Sequence, residues 1–339
     1  MSSRSPLAHT GGDRFGRIVG SGAYRPSRVV PNSELVEAID SSDEWIQQRS
    51  GIRTRHFAAP DETVVDMAEH ASRQALEHAG IEASDLDTVI VATVTHMLQT
   101  PAAAPILADR LGAATAAAFD ISAACAGFCH GLAIGNDLIR AGTSSTVLVV
   151  GVEKLSGMTD PNDRGTAFIF GDGAGAAVLA PSPTPGIGPT VWGSDGARAE
   201  TITQTPNWDE LRDKRFDADQ PWPTLRMDGQ PVFRWAVFSM APVARRAVEA
   251  AGLSIDEIDV FVPHQANMRI IDAMIKQLHL PEHIPVARDI AETGNTSAAS
   301  IPIAIRRLLD EGQATTGDRA LLIGFGAGLV YAAQVVELP

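Results

Sequence analysis

The stretch Ala75-Leu-Glu-His-Ala-Gly80, followed after a short acidic connection by the apolar run Thr88-Val-Ile-Val-Ala-Thr93, has a second copy in this chain. That copy is Ala247-Val-Glu-Ala-Ala-Gly252, followed by Val260-Phe-Val-Pro263, and Gly80 and Gly252 lie 172 residues apart. Each copy predicts an amphipathic helix that ends at a glycine, and then a buried strand. The repeat therefore predicts two halves built on one plan.

The repeat continues beyond these strands. Thr146-Val-Leu-Val-Val-Gly151 matches Ala320-Leu-Leu-Ile-Gly324, and a further apolar run follows each, at 174–180 and 329–336. Because helices alternate with continuous apolar strands, we expect mixed sheets that are covered on both faces. The sequence thus predicts an α/β fold in which two pseudo-twofold-related halves stack in α-β-α-β-α layers.

The pattern also divides the chain. We expect a flexible tail over residues 1–13, a first half over 14–185 and a second half over 235–339. Between the halves, residues 186–234 are polar, rich in proline and poorly periodic. Long loops of this kind tend to have a function, so we expect 186–234 to form a loop-rich excursion over the site.

Bulk properties exclude several classes of protein. The net charge of −14 is offset by no basic tract, which argues against a nucleic-acid binder. The first residues lack the apolar region of a secretory signal, and no apolar run reaches membrane-spanning length. We therefore expect a cytoplasmic protein without a membrane partner. Two cysteines are too few for a disulfide framework, and we interpret Cys129 as core packing.

Cys125 lies in Phe119-Asp-Ile-Ser-Ala-Ala-Cys-Ala-Gly-Phe128, where an apolar run leads into a helical one. This layout predicts a strand-to-helix corner with the thiol on the first helical turn. The positive end of the helix would favour the reactive thiolate there. The alternative is a small buried hydrophobe, the common fate of a free cysteine.

Two further polar residues are candidates to face Cys125. Gly142 and Gly312 end helices in the two halves, and matching them (offset 170) puts Asn295 opposite Cys125. An N-cap is the alternative role for this asparagine. His264 follows a predicted strand of the second half, at the carboxyl end where α/β sheets place their ligands. The glycine turn 324–328 offers backbone N–H groups for an oxyanion hole.

At this point the sequence resembles the β-ketoacyl-[acyl-carrier-protein] synthase III family of the thiolase superfamily, in its actinobacterial form. The resemblance covers the chain from about residue 17 to its end. It rests on six ordered motifs: Ser42-Asp-Glu-Trp45, Ala124-Cys-Ala-Gly127, Asp163-Arg-Gly165, Phe170-Gly-Asp-Gly-Ala-Gly175, Val262-Pro-His-Gln-Ala-Asn267 and Gly294-Asn-Thr-Ser-Ala-Ala-Ser300.

The resemblance implies a thiolase fold and a decarboxylating Claisen condensation. An acyl group would pass from acyl-CoA to Cys125, and malonyl-ACP would then lose CO₂ and attack that thioester. His264 and Asn295 would stabilise the enolate, while the backbone N–H groups of Cys125 and Ala327 would form the oxyanion hole. A nearby carboxylate would oppose the negative charge, and the motifs that contain Cys125, His264 and Asn295 have none. This scheme requires no metal and no redox cofactor.

Other roles carry over by motif only. Trp45 and Arg164 match residues that hold the CoA adenine and phosphates, and Arg49 matches a second basic residue there. A packed or exposed aromatic is the alternative for Trp45. Asn267 matches a pantetheine-side asparagine, with an N-cap as its alternative. We also assign Phe325 to the substrate site. The resemblance assigns contact with the acidic acyl carrier protein to Arg234 and Arg269, for which solvated arginines are the alternative.

One position departs from the family pattern. Many members place Phe before the proline of the Leu98-Gln-Thr-Pro101 loop, facing the partner subunit's acyl pocket, and this chain has Thr100. The smaller residue predicts primers that are longer or more branched than acetyl. The same loop implies a homodimer. Gln230 also stands where Asn is common, which affects a pantetheine contact.

Related chemistries remain as alternatives. A pathway-specific starter-unit synthase or acyltransferase of secondary metabolism could keep every motif. A thiolase would need a second catalytic cysteine, and the only other cysteine lies four residues from Cys125. An HMG-CoA synthase would need an acidic residue that the sequence does not locate. The order Cys, His, Asn also describes papain-like cysteine peptidases, but this chain lacks their cysteine signature. A catalytically inactive scaffold is at odds with the intact Cys125, His264 and Asn295.

Overall fold

The computed structural model describes residues 14–214 and 221–339, so the predicted tail 1–13 and residues 215–220 of the predicted excursion lie outside the described residues. The strands are β1 (Phe15–Tyr24), β2 (Arg28–Pro31), β3 (Thr54–Phe57), β4 (Thr88–Ala92), β5 (Ala117–Ile121), β6 (Val147–Lys154), β7 (Asp172–Ser182), β8 (Val191–Ser194), β9 (Ile202–Thr205), β10 (Thr224–Met227), β11 (Val260–Pro263), β12 (Arg319–Gly326) and β13 (Val330–Glu337). The α-helices are α1 (Asp43–Ser50), α2 (Val64–Ala79), α3 (Ala103–Leu111), α4 (Gly127–Ala141), α5 (Trp208–Asp213), α6 (Gly229–Ala250), α7 (Met268–Leu278), α8 (Ile290–Thr293) and α9 (Ser300–Asp310).

Local interactions define the repeated unit that the sequence predicted. The Thr63 side chain accepts a hydrogen bond from the Asp66 N–H and the Asp66 carboxylate accepts one from the Thr63 N–H, which fixes the start of α2. Gly80, at φ +63°, ends this helix in the left-handed conformation that glycine adopts at little cost. Asp87 and Asp259 then occupy equivalent places. Each carboxylate accepts a hydrogen bond from a backbone N–H at the start of the neighbouring strand in its sheet.

Two mixed sheets form the centre of the molecule. The first has the strand order β5-β4-β6-β7-β1, and the second has the order β11-β12-β13-β8. In each sheet one equivalent pair is parallel, β4 with β6 and β11 with β12, and the following pair is antiparallel. In the first sheet β4 also pairs in parallel with β5. The counterpart of β5 in the second half is reduced to the isolated parallel bridge between Phe261 and Val286. The predicted repeat is therefore confirmed strand by strand.

The hydrophobic core shows how the sheets are layered. Side chains of α4 and α9, such as Phe128 and Ile301, pack together with inward-facing residues of both sheets. Helices α2 and α3 cover the outer face of the first sheet, and α6 and α7 cover the outer face of the second. The five-layer α-β-α-β-α arrangement is thus confirmed, and α4 and α9 form its middle layer.

Two glycines let the halves approach each other closely and reciprocally. A Cβ atom at Gly151 of β6 would lie 2.2 Å from the carbonyl oxygen of Ala298 in the second half. A Cβ atom at Gly324 of β12 would lie 2.8 Å from the Cα atom of Ala126 in the first half. Each 3₁₀ turn, Ala124–Ala126 or Ser297–Ala299, therefore rests on a glycine of the other half's central strand.

The predicted excursion 186–234 is only partly loop. Strand β8 lies within it and pairs with β13, so these residues complete the second sheet. Helix α6 begins at Gly229, six residues before the predicted start of the second half. Strands β9 and β10 form a separate hairpin-like pair between them. The sequence pattern did not predict β8, because a four-residue strand at a sheet edge is too short to show a periodic pattern of apolar residues.

Candidate active site

Cys125, His264 and Asn295 line one cavity of about 720 Å³. Its wall includes the 3₁₀ turn Ala124–Ala126 of the first half and residues just after β11 in the second half. Residues of β9, β10 and the start of α6 also line it, so part of the excursion does border the site. A concave site shared by the two halves of an α/β protein is a common place for a ligand.

Cys125 lies in the 3₁₀ turn that immediately precedes α4. The turn begins at Ala124, a non-glycine residue at φ +43°, which is an uncommon conformation and a mark of a constrained site. Gly326 approaches Cys125 so closely that a Cβ atom there would lie 2.8 Å from the Cys125 Sγ. The corner that the sequence predicted is confirmed, with the thiol half-buried beside the cavity.

The electrostatics of Cys125 differ from the prediction. Burial among protein atoms raises the pKa of this thiol to about 12, and a nearby negative charge at Glu153 raises it further. The Ser297 hydroxyl and the backbone N–H of Cys125 act in the opposite direction, because they favour the thiolate. The prediction considered only the favourable effect of the helix N-terminus on the thiolate. It omitted the free-energy cost of removing the charged thiolate from water, and that cost is the larger of the two here.

His264 is held as a neutral imidazole with its Nε2–H left to donate. Its backbone N–H donates to the Ile323 carbonyl, and its Nδ1 lies 2.7 Å from Ser300 Oγ. Ser300 Oγ accepts the N–H of Gln265, so its own hydrogen is free to donate to Nδ1. That arrangement assigns the ring hydrogen to Nε2. Burial lowers the pKa of His264 to about 3, so the ring is uncharged at neutral pH.

Asn295 is fixed by its backbone and by its side-chain oxygen. It forms a bridge with Phe170, and its Oδ1 accepts the Ser297 N–H at 2.8 Å. Its Nδ2 donates to no residue of 14–214 or 221–339, so the Nδ2 donors remain for a ligand. Asn295 is not the symmetry mate of Cys125, however. The matching 3₁₀ turns pair Cys125 with Ala298, and Asn295 lies three residues earlier. The sequence analysis aligned the C-terminal ends of the two helices, and this alignment gave the wrong register because α9 is shorter than α4.

The mouth of the cavity is aromatic and basic. The guanidinium carbons of Arg49 and Arg164 lie 5.5 Å and 5.1 Å from the Trp45 ring centroid. Trp45 also packs edge-on against Phe168. All three predicted CoA residues line the cavity. A half-buried indole with two guanidinium groups is a suitable surface for a flat ring and its phosphates.

The remaining predicted residues divide into two groups. Ala327, Asn267, Arg234 and Arg269 line the cavity, as does Phe325, whose ring packs edge-on against His264. Asn267 is also the N-cap of α7, with Oδ1 accepting the Arg269 N–H and Nδ2 donating to the Arg49 carbonyl. Its alternative role as a cap is therefore present in the structure. Thr100 is exposed and does not line the cavity within this chain.

Comparisons with known proteins agree with this geometry. The family model described as 3-oxoacyl-[acyl-carrier-protein] synthase III matches residues 119–196, and its C-terminal companion matches 248–338. The Streptomyces coelicolor protein named β-ketoacyl-[acyl-carrier-protein] synthase III 1 is 58% identical over 342 residues, which cover 99% of this chain and 100% of that protein. The chain belongs to the β-ketoacyl-[acyl-carrier-protein] synthase III family.

Solved structures place it on the thiolase fold of this family. The priming β-ketosynthase of the R1128 polyketide biosynthetic pathway superimposes with a TM-score of 0.95 at 48% identity, covering 98% of this chain and 99% of that one. The synthase III of Aquifex aeolicus gives a TM-score of 0.87 at 38% identity, covering 95% and 99%. The mycobacterial synthase III of Mycobacterium marinum is 54% identical over 98% of both chains.

The sequence analysis missed one charged residue near Cys125. Glu153, at the end of β6, is fully buried. Its Oε2 accepts hydrogen bonds from the Thr93 and Thr95 hydroxyls and from the Val94 N–H. Its Oε1 has no hydrogen-bond partner of normal geometry in the part of the chain that the structure describes. Burial raises the pKa of Glu153 to about 7. Glu153 therefore puts near Cys125 a carboxylate that the motifs of Cys125, His264 and Asn295 do not contain.

Glu153 escaped notice because it occupies none of the quoted motifs. It interrupts an otherwise apolar run, Val147-Leu-Val-Val-Gly-Val-Glu153. A single carboxylate at the end of a buried strand is an unusual pattern that could have identified it. Ser297 connects it to the site, since its hydroxyl favours the charged forms of both Glu153 and Cys125.

Proposed function

We propose that this chain transfers an acyl primer from acyl-CoA to Cys125 and then condenses it with malonyl-ACP, releasing CoA, CO₂ and 3-oxoacyl-ACP. This reaction would initiate fatty acid synthesis. One observation carries the proposal. A thiol, a neutral imidazole with a free Nε2–H and an amide with free Nδ2 donors line one cavity, and the mouth of that cavity is suited to a nucleotide.

In the first step the Cys125 thiolate attacks the acyl carbonyl carbon of acyl-CoA. A carbon–sulfur bond to Cys125 forms, the bond to the CoA sulfur breaks, and CoA leaves. The negative charge on the carbonyl oxygen needs donors that are already in place, and the backbone N–H groups of Cys125 and Ala327 would supply them. The Ser297 hydroxyl and the Cys125 N–H partly offset the cost of forming a thiolate in this buried position.

In the second step the malonyl group of malonyl-ACP loses CO₂, and the remaining thioester becomes an enolate with a nucleophilic α-carbon. That carbon bonds to the acyl carbon, and the Cys125 thiolate leaves. His264 Nε2–H and Asn295 Nδ2–H would stabilise the enolate oxygen by donating hydrogen bonds without transferring a proton. A protonated His264 could transfer its proton to the enolate and end the reaction early. Burial, which keeps this ring neutral, therefore supports the assigned role.

The arginines and aromatics of the mouth would receive the carriers. Trp45 and Arg164 would hold the adenine of CoA from its two faces, with Arg164 also near the phosphates and Arg49 as a second basic residue of that pocket. Asn267 would contact the pantetheine arm. Arg234 and Arg269 would meet the acidic acyl carrier protein. Neither of these two arginines forms an ion pair with another residue of 14–214 or 221–339, so both charges are available to a partner. The scheme uses no metal and no redox cofactor.

We further propose that the active form is a homodimer. Strand β5 is the edge of its sheet, and Phe119 on it is 38% exposed. Met97 and Leu98, just before Thr100, are also exposed. An apolar, unpaired sheet edge is suited to pairing with a second copy, and Thr100 would then reach the partner's acyl pocket. Light scattering tests this: a mass near 36 kDa, rather than twice that, would contradict it.

Within residues 14–214 and 221–339 no helix has the length and apolarity to cross a membrane. We place the enzyme in the cytoplasm, where acyl-CoA and malonyl-ACP are available to it. Fractionation of the source cells with an antibody tests this placement, and recovery in the membrane fraction would contradict it.

A second function deserves a test because one structural relative is described as a priming ketosynthase of a polyketide pathway. In that case the chain would load starter units for secondary metabolism with the same residues. Competition between carrier proteins separates the two functions. Purified enzyme is offered acyl-CoA with malonyl groups on a fatty-acid carrier protein or on a polyketide carrier protein. A higher kcat/KM on the fatty-acid carrier supports initiation of fatty acid synthesis, and the reverse order supports the starter-unit function.

The condensation itself is tested with labelled substrates. Radiolabelled acyl-CoA should label the wild-type protein and leave the Cys125→Ala variant unlabelled, and malonyl-ACP should then release CO₂ and discharge the label. Labelling without CO₂ release would reject the condensing function and leave an acyltransferase.

A further inference from the structure

One of the largest fully buried side chains of this protein belongs to an arginine. Arg55, on β3, has no solvent exposure, and it forms no ion pair with a carboxylate of residues 14–214 or 221–339. Burial lowers its pKa to about 10, so the guanidinium is still charged at neutral pH. Removing such a charge from water is costly, and the cost must be offset by well-placed hydrogen bonds.

Backbone and amide oxygens take the place of a carboxylate around Arg55. Its Nη1 donates to the Val30 carbonyl at 3.2 Å, while its Nη2 donates to the Asn32 Oδ1 at 2.6 Å and to the Phe168 carbonyl at 2.9 Å. Phe168 begins the segment 168–171, which we call the strap and most of which lines the catalytic cavity. The planar guanidinium thus joins the strap to residues that precede α1.

The strap is the segment to which Asn295 is bound. The Ile169 carbonyl accepts the Asn295 N–H at 2.9 Å, and the Asn295 carbonyl accepts the Gly171 N–H at 3.0 Å. The Arg55 Cβ atom packs beside these bonds, because a Cβ atom at Gly294 would lie 2.9 Å from it and one at Gly171 would lie 3.3 Å from it. Arg55 therefore contacts the surroundings of Asn295 through both ends of its side chain.

The same hydrogen bonds reach the mouth of the cavity. Asn32 Nδ2 donates at 2.6 Å to the Oδ1 of Asp43, the first residue of α1. Helix α1 carries Trp45, whose ring packs edge-on against Phe168 of the strap at a centroid distance of 5.3 Å. Arg55 is thus the buried link between the helix at the mouth and the strap.

We propose that Arg55 is a positioning residue for the condensation step, which holds the strap, and through it Asn295, where the Nδ2 donors meet the enolate. This inference rests on the proposed function, because it takes Asn295 as a donor to the enolate. Arg55 is not among the residues that line the cavity, so it acts through the strap. Lysine cannot replace it, since one flexible ammonium group cannot hold three oxygens on separate segments in place.

The test measures the two half-reactions separately in Arg55→Lys. Intact mass after incubation with saturating acyl-CoA counts the molecules that are acylated on Cys125 and gives the rate of that step. This rate should stay near the wild-type value, because its oxyanion donors are backbone N–H groups of other segments. Release of CO₂ from malonyl-ACP per acylated molecule should fall on the order of a hundredfold with an unchanged KM, as expected when a reacting donor is displaced by about 1 Å.

Two comparisons show whether the effect passes through Asn295. Adding Arg55→Lys to Asn295→Ala should slow CO₂ release no further than Asn295→Ala alone, because the donors that Arg55 holds are already gone. Arg28→Lys makes the same change at an exposed arginine of the paired strand β2, and it should behave as wild type. If thermal melting shows that Arg55→Lys does not fold, Asn32→Ala takes its place, since it removes one of the three acceptors and should slow CO₂ release by a smaller factor.

The outcomes separate the two proposals. If the wild-type enzyme is not acylated, or releases no CO₂ from malonyl-ACP, the proposed function fails. If the wild type condenses normally and the arginine variant, or Asn32→Ala in its place, slows both half-reactions equally or neither, the residue serves only the fold and the positioning proposal is overturned. A double variant that is slower than Asn295→Ala also overturns it.

Discussion

Replacing Glu153 by glutamine should change the pH dependence of stability. The carboxyl has a reference pKa of 4.5, and burial raises its pKa to about 7 in the folded protein. The folded state therefore holds this proton more tightly than the unfolded chain does. The stabilising contribution is complete below pH 4.5 and is lost as the pH rises through 7. Its full size is about 3 kcal/mol, at about 1.4 kcal/mol for each pH unit that separates the two pKa values.

The Glu153→Gln variant removes this titration while keeping the local hydrogen bonds. Its amide oxygen can accept from the same three donors that now contact Oε2, the Thr93 and Thr95 hydroxyls and the Val94 N–H. The amide NH₂ group would replace Oε1, which has no hydrogen-bond partner of normal geometry among residues 14–214 and 221–339. The effect of the Ser297 hydroxyl on the charged carboxylate would be lost together with the charge. Relative to wild type, the variant should therefore gain about 2 kcal/mol in the free energy of unfolding between pH 5.5 and pH 8.5.

Urea denaturation followed by tryptophan fluorescence measures this difference. Wild type and variant are compared at pH 5.5 and pH 8.5 at one protein concentration. The comparison requires that the free energy of unfolding fall with urea concentration at the same slope in both proteins. Glu37→Gln, which removes an exposed carboxylate from the same chain, is the control. If the stability difference between Glu153→Gln and wild type is the same at both pH values, Glu153 does not titrate as a buried group and the reasoning fails.

Three further predictions concern the site. Imidazole NMR signals of His264 should not titrate between pH 5.5 and 8, because burial lowers its pKa to about 3; a midpoint near 6.5 would contradict this. Gly326→Ala should slow Cys125 acylation at least a hundredfold, since its Cβ atom would lie 2.8 Å from Sγ. Thermal melting checks the fold of that variant, and wild-type acylation would show that the site relaxes instead. Thr100→Phe should shift kcat/KM toward acetyl-CoA over branched primers, and unchanged ratios would reject the expected role of Thr100.

The fold could be predicted because it arises from a pattern of helices and strands that is repeated in the sequence. The offset of 172 between Gly80 and Gly252 reflects two helices that end alike and two strands buried alike. Physical constraints of that kind leave a pattern in the sequence. Strand β8 left none, because it owes its place to hydrogen bonds with β13 rather than to its own residues.

The site was predictable as a set of residues but not as an electrostatic environment. Cys125, His264 and Asn295 meet in one cavity although the symmetry argument that paired Cys125 with Asn295 was wrong in register. The pKa values of Cys125 and Glu153 depend on burial, which arises from the packing of both halves. No local motif contains that information.

The most direct test of the central claim is intact-protein mass spectrometry of a two-step reaction. With acyl-CoA alone, the protein should gain the mass of one acyl group, and peptide mapping should locate it on Cys125. Adding malonyl-ACP should then remove that mass while one CO₂ is released for each 3-oxoacyl-ACP formed. An acyl group on any residue other than Cys125, or its loss by hydrolysis without CO₂, would contradict the account.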